Sequence, residues 1–426
     1  VQSAKYRKID IEIATDAPET RPYLKSVGRY LTGYSLSPTG KRSLLVARGE
    51  VFTVPKKHGE VRNISNDSGT RDKDAVWSPD GTYIAYLSDK AGEYDIYLAD
   101  PMGKQKTKKL TAFKKGYRHT LKWSPDSKKI GFTDETLTLY YIDIQTRKIV
   151  KVDKADFENV DVSMDVKPIF DFAWSPDSHF LAYSKMNADQ LQQIYIYSLA
   201  GKVSKNISEG LFNDFNPRFS ANGKYLFFIS NRRFDATLCD FEWEMVYKQV
   251  AGIYVMNLQK QSKSFLAFRS DEEGQKSNKG KNKSAKVLVK IDFDGIAHRV
   301  EALPMPRGNY RDLVVTKSNL FFMNAEKGMF NRFELRDRGA MDLYTYSFKT
   351  RKAKKLVKGI TDFKLSADTK SMVYRQGRNL FIAAASTSKI SGKKISLRGL
   401  KMKYHPLKEW KQIFNDAWRL ERDYYY

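Results

Sequence analysis

The sequence predicts an all-β fold, a seven-bladed β-propeller with a short C-terminal α-helical stub, from three observations. First, one phrase of turn plus strand recurs, typified by Trp77-Ser78-Pro79-Asp80-Gly81 and the strand-like run Tyr83 to Leu87. Variants start at Leu36, Trp123, Trp174 and Phe219, and weaker echoes at Val315 and Leu365 bring the phrases to seven. Second, the marker hydroxyls Ser37, Ser78, Ser124, Ser175, Ser220, Thr316 and Ser366 are separated by 41, 46, 51, 45, 96 and 50 residues. About 40–50 residues make one four-stranded blade. Third, an aromatic strand follows most phrases, at Tyr94–Tyr97, Leu139–Ile142, Ile194–Tyr197, Gly252–Val255 and Leu343–Tyr346. Within the phrase, proline presets φ for the first corner of a type I turn, Asp tolerates the second, and Gly closes it without a Cβ clash.

In chain order, residues 1–30 form a lead-in whose strand candidate, Arg7–Ile13, either adds an outer strand to the last blade or belongs to a preceding domain. Residues 31–390 carry the blades. The long spacing of 96 residues is read as an insertion rather than an eighth blade, because residues 271–286 are polar and rich in Gly, Ser and Lys, a composition that favours a flexible loop. Arg232–Val250, aromatic and acidic, and Glu326–Ala340 also interrupt blades and are expected at a rim of the ring. Residues 391–426 read as an extended connector followed by a helix from Pro406. Trp410, Ile413, Phe414, Ala417 and Trp418 share one helical face that needs a surface to bury against. The pattern runs uncapped to Tyr426, as in a piece of a longer protein.

Composition narrows the functions. The net charge is +26 across 426 residues, but the basic residues are dispersed rather than gathered in a stripe, so weak polyanion affinity is expected and no specific nucleic-acid partner. No apolar run approaches the ~20 residues of a transmembrane helix. The single cysteine, Cys239, forbids an internal disulfide and leaves the compartment open, periplasmic, exported or cytoplasmic. His58, His119, His179, His298 and His405 are scattered without metal-ligand spacing. The Gly274–Lys281 segment imitates a phosphate loop with the wrong spacing, and Asn282 stands where a Mg²⁺-binding hydroxyl belongs. No catalytic, cofactor-binding or metal-binding residue is assigned, and no cofactor is expected.

The phrase itself is shared with TolB-like, WD40-like and prolyl-oligopeptidase propellers. Three further blocks are more specific: Leu36–Arg42 with Ala47–Pro55 and Val61–Ser65, then Lys290–Arg299 leading into Ala302–Pro304, then Glu409–Tyr426. In this order the chain resembles the tricorn protease family, from the opening blade of its second propeller to the start of its helical catalytic subdomain. The resemblance implies a serine peptidase in which the seven-bladed ring admits unfolded peptides to a distant active site. It also implies further domains of the same polypeptide, a PDZ domain among them, and a homo-oligomer. The family's catalytic residues lie beyond Tyr426, so none is carried over and this chain alone is expected to be inactive. The rival expectation is a TolB-like scaffold that holds a protein partner in an envelope complex.

Overall fold

The computed structural model describes residues 9, 16–155, 171–208, 210–233, 236–238, 243, 245–247, 249–269, 287–325, 340–388 and 390–425. Seven four-stranded antiparallel sheets, each a meander of strands in chain order, surround one axis. Blade 1 spans residues 31–63, blade 2 72–109, blade 3 118–154, blade 4 172–206, blade 5 214–302, blade 6 309–360 and blade 7 362–394. The first strand of each blade is an edge strand, and first strands of adjacent blades meet between blades 1 and 2, 2 and 3, 4 and 5, 5 and 6, and 7 and 1. Apolar clusters fill the wedges between blades, with Tyr94, Tyr183, Tyr346, Phe132 and Phe227 among the side chains withdrawn from water.

All seven phrases form the turn between the first and second strands, and their serines explain why. Each marker hydroxyl is buried. Six accept the backbone N–H five residues on, as Phe180 N–H donates to Ser175 at 2.9 Å and Tyr83 N–H to Ser78 at 2.9 Å. Thr316 does the same for Asn319, three residues on, at 3.1 Å. The serine hydroxyl in turn donates to the Asp or Asn two residues later, 2.6 Å for Ser78–Asp80 and 2.7 Å for Ser220–Asn222. The fifth residue is left-handed whether it is Gly40, Gly81 and Gly223 or Ser127, Ser178 and Thr369. The non-glycine choices bear that strain where the side chain works: Ser127 and Ser178 accept N–H bonds from Asp80 and Asp126 of the preceding blades, both at 3.1 Å. The tryptophans also reach backwards, Trp174 donating to Lys122 O at 3.0 Å and Trp123 to Val76 O at 3.4 Å.

The long spacing resolves inside blade 5. A hairpin (Ala236–Leu238 with Met245–Tyr247) separates its second and third strands, and residues 258–299 separate its third and fourth. Residues 271–286, Cys239, the phosphate-loop imitation and most of Glu326–Ala340 lie outside the described residues, as does Arg7–Ile13 except for Ile9.

Blades 1 and 7 share no strand. A separate ribbon joins the two ends of the ring instead: Tyr23–Ser26 pairs antiparallel with Lys401–Tyr404. Val27, Leu400, Met402 and Tyr404 pack with Leu36 and Phe52 of blade 1 and Val373 and Ile382 of blade 7. The Lys25 ammonium sits 3.9 Å from the Tyr404 ring centroid, a cation–π contact. Blade 7 also extends further than its pattern suggests, taking its fourth strand, Lys393–Lys394, from the stretch read as connector.

The helix α1 (Pro406–Tyr424) lies on the rim formed by the turns between second and third strands and the links between blades. This is the helix rim; the Ser-Pro-Asp turns make the opposite, turn rim. The apolar face that needs a surface finds none among the described residues, and the helix docks by its opposite face. Glu409, Gln412, Asp416 and Arg419 are buried, whereas Trp410, Ile413, Phe414 and Trp418 are exposed. The rim beneath α1 offers charges rather than apolar surface, so the polar face is the one that fits it. No described helix is long and apolar enough to cross a membrane.

Candidate functional site

The axial bore is built from two positions in each phrase. Two residues before the marker hydroxyl stand Ser35, Val76, Lys122, Ala173, Arg218, Val314 and Lys364, each partly open to solvent between more buried neighbours or beside them. Four residues before it stand Gly33, Asp74, Thr120, Asp171, Asn216, Asp312 and Asp362. Since each first strand runs from the helix rim to the turn rim, these make two layers. The layer nearer the turn rim holds three cations, and the layer nearer the helix rim holds four carboxylates.

Backbone geometry accounts for part of this chemistry. Asp74, Thr120, Asn216 and Asp312 have φ between 50° and 59° at bulges in their strands. Asn and Asp tolerate the left-handed region better than other side chains with a Cβ. The bulge turns these residues out of the blade.

Ion pairs then tie the layers together. Asp171 lies 3.4 Å from the Lys122 ammonium and 3.0 Å from Arg218, and Asn216 donates to its other oxygen. Arg218 continues the chain to Leu313 O at 2.9 Å, and Leu313 N–H donates back to Asn216 at 2.7 Å. Four successive blades are thereby connected. Burial raises the Asp171 carboxyl, but Arg218 and Lys122 outweigh it and hold the group below the usual carboxylate range. Burial, with help from Arg218 and Lys364, pulls Lys122 down to about 8 against Asp171. Burial also raises Asp312, as do Asp362 and Asp171. Lys364 and Lys122 come from blades 7 and 3, which are not neighbours, so their repulsion crosses the axis. Asp171 keeps 30% of its side-chain surface in water although protein surrounds it, as a group lining a bore should.

The helix seat is the second feature. Arg48 grips Glu409 with two parallel bonds of 2.7 and 2.8 Å. Asp416 accepts from Tyr94 at 2.9 Å, from Tyr117 at 2.7 Å and from Arg419 at 3.1 Å, and pairs with Arg71. Asp89 receives Gln412 at 2.9 Å and pairs with Arg419, while Arg422 and Glu93 form a second two-bond pair at 2.7 and 2.9 Å. Burial raises Asp416, but Tyr117, Arg71 and Arg419 together hold it low and charged. His119 lies 2.9 Å from the Tyr424 hydroxyl; burial, with Lys73 and Arg118, pushes it down to about 3, so the ring is neutral at ordinary pH.

The sequence assigned no site residue, and both features escaped it. One signal was present: Glu409, Gln412, Asp416 and Arg419 make a polar stripe at helical spacing opposite the apolar one. The histidines stay apart, His179 lying against Asp177 at 3.4 Å on the turn rim. Among the described residues no group of three His, Cys, Asp or Glu side chains could hold a metal ion.

Comparison with known proteins gives a consistent result. Residues 31–386 match the family model described as the tricorn protease second beta propeller domain. A putative tricorn-like protease C-terminal subunit of Sulfurisphaera tokodaii is 24% identical over 431 residues, covering 100% of this chain and 47% of the relative. A tricorn protease homolog of Saccharolobus solfataricus is 24% identical over 427 residues, covering 98% of this chain and 37% of the relative. The chain therefore spans less than half the length of these curated relatives. The crystal structure of the tricorn protease superposes with a TM-score of 0.79 at 19% identity, over 98% of this chain and 38% of that one. The propeller of the Trilobed protease from Pyrococcus furiosus, described as having an open velcro topology, gives a TM-score of 0.50 at 14% identity, over 86% of this chain and 97% of that one.

Proposed function

The chain belongs to the tricorn protease family, and from that premise we propose that it is the substrate-access ring of a serine peptidase that degrades oligopeptides. The observation that carries the reading is the bore, whose charges couple across the axis between non-neighbouring blades. A layer of cations beside a layer of carboxylates offers partners to an extended chain's amides and termini, and in this reading the ring passes such a chain and excludes a folded domain. In this reading residues 31–390 are the ring and residues 391–426 lead into the catalytic half. The seat holds α1 by its polar face, which leaves the tryptophan face turned toward the rest of that half. Further domains of the same polypeptide carry the nucleophile, the whole protein assembles as a homo-oligomer, and the 426-residue chain alone cleaves nothing.

The test narrows the bore in the full-length peptidase. Ala173 lies in the layer nearer the turn rim, and Ala173→Trp fills the axis with an indole. Hydrolysis of a long unfolded peptide is expected to fall by about ten-fold or more, equivalent to roughly 1.4 kcal/mol of added barrier, with a two-residue chromogenic substrate far less affected. Unchanged hydrolysis of the long peptide would overturn the access reading and favour a propeller that serves as a protein-binding scaffold.

A further inference from the structure

A second site lies at the seam of the ring, away from the bore. Between blade 7, the Ser26–Leu31 link and the Lys394–Arg398 link is a cleft of about 1120 Å³ that opens on the helix rim. Arg29, Arg375, Arg378, Lys394 and Arg398 line it, and no carboxylate does. Arg375 is partly buried and the other four are exposed.

Their lack of partners sets these cations apart. Elsewhere on the same rim Arg48, Arg71, Arg419 and Arg422 each face a carboxylate. Within the cleft, Arg29 touches the Tyr30 hydroxyl at 2.6 Å and Arg375 reaches the Gly377 carbonyl at 3.4 Å. Among the described residues none of the five lies within ion-pair distance of a carboxylate. Five like charges held in one concavity repel one another and raise the local concentration of anions.

The rest of the lining says which anion. Leu31, Leu380 and Leu397 provide apolar floor. The short strand Lys393–Lys394 pairs on one side with Phe381 and Ile382 and is the outer edge of its sheet, leaving main-chain donors and acceptors on the other side. An extended peptide can add to such an edge through its backbone while its carboxylates meet guanidinium groups in two-bond geometry. The volume exceeds the roughly 300–1,000 Å³ of a small-molecule pocket and suits a chain segment. We propose that the seam cleft binds an extended, acidic peptide segment. This holds whether or not the bore conducts substrate.

The experiment follows binding of a fluorescent poly-glutamate peptide to the full-length protein by anisotropy at about 0.15 M salt, where long-range attraction is screened beyond about 8 Å. Wild type is expected to bind. The double reversal Arg378→Glu with Arg398→Glu should weaken binding by about ten-fold or more, and the milder Arg378→Gln with Arg398→Gln should weaken it less. Lys104→Glu with Lys106→Glu, exposed on the turn rim and equal in charge change, should leave it within about two-fold. Equal loss in both reversed pairs would reduce the effect to net charge and overturn the proposal. So would an absence of wild-type binding, or a polyphosphate of matched charge that outcompetes the peptide at the cleft. None of these outcomes depends on peptidase activity, so failure here is distinct from failure of the access reading.

Discussion

The helix docked by its polar face makes the sharpest prediction. In Asp416→Ala the seat loses its central acceptor. Arg419 retains Asp89, and Arg71, with nearly half of its side chain exposed, rehydrates. The buried Tyr117 hydroxyl keeps the residue-416 carbonyl at 3.1 Å, but the buried Tyr94 hydroxyl, bonded at 2.9 Å to the Asp416 carboxylate alone, can turn to neither water nor that carbonyl. One buried donor without an acceptor costs about 1–3 kcal/mol. About 2 kcal/mol of docking energy corresponds to roughly thirty-fold in the docking equilibrium. Most helical stability in proteins comes from tertiary packing, so undocked α1 frays. Hydrogen exchange of the α1 amides, measured by mass spectrometry, should therefore accelerate by about that factor in Asp416→Ala. Trp410→Ser with Phe414→Ser, on the exposed face, should change it by less than about three-fold. The reverse ranking would mean that the apolar face is the docked one and the seat has been misread.

Three other outcomes follow from the ring. Ser175→Ala removes a fully buried hydroxyl that is the acceptor of the Phe180 N–H and should cost about 1–3 kcal/mol in urea unfolding; an unchanged midpoint would deny the serines their role. Gly40→Ala should destabilise well beyond the ~1 kcal/mol of Gly103→Ala, since both glycines have positive φ but a Cβ at Gly40 would strike Ser371 across the seam while one at Gly103 meets open space; equal unfolding midpoints would refute the close approach. Burial holds both Glu50 and Asp72 up to about 7, so the folded protein keeps protons there that an unfolded chain releases near 4. Their contribution is complete below about pH 4 and is lost as pH rises through 7. Asp416 and Asp80 are depressed and act in the opposite sense, losing their contribution on acidification. Thermal stability should peak at mildly acidic pH, and a Tm that climbs from pH 5 to 8 would contradict this.

Blade number was legible in the sequence because the phrase is a physical unit. Even the weak echoes at Thr316 and Ser366 keep the buried hydroxyl that accepts an N–H, which is why they mark blades as faithfully as Trp77-Ser-Pro-Asp-Gly81. The outer strand Lys393–Lys394 and the ribbon strand Lys401–Tyr404 were not legible. Strands of two and four residues give alternation too little length to register, and lysine has low β-propensity. Periodicity found α1 and its uncovered apolar face but not the polar face that docks, since hydrophobic patterning presumes an apolar receiver and this rim is ionic. The bore layers escaped because they depend on bulges that place residues four and two before the marker toward the axis. Once the marker is known, those positions can be read directly from the chain.

The ribbon at the seam also bears on how such a protein is put together. Tyr23 and Tyr404 are paired residues of adjacent strands, so the polypeptide arrives at the ring and departs from it at the same spot. Every blade takes its strands in chain order from one stretch of sequence, and none borrows from the far end. A unit with this wiring can be spliced into a host sequence like a bead on a loop, without stretching the host or unpicking a sheet. Recombination could therefore transplant, duplicate or resize the ring one blade at a time, and the host would register only the ribbon.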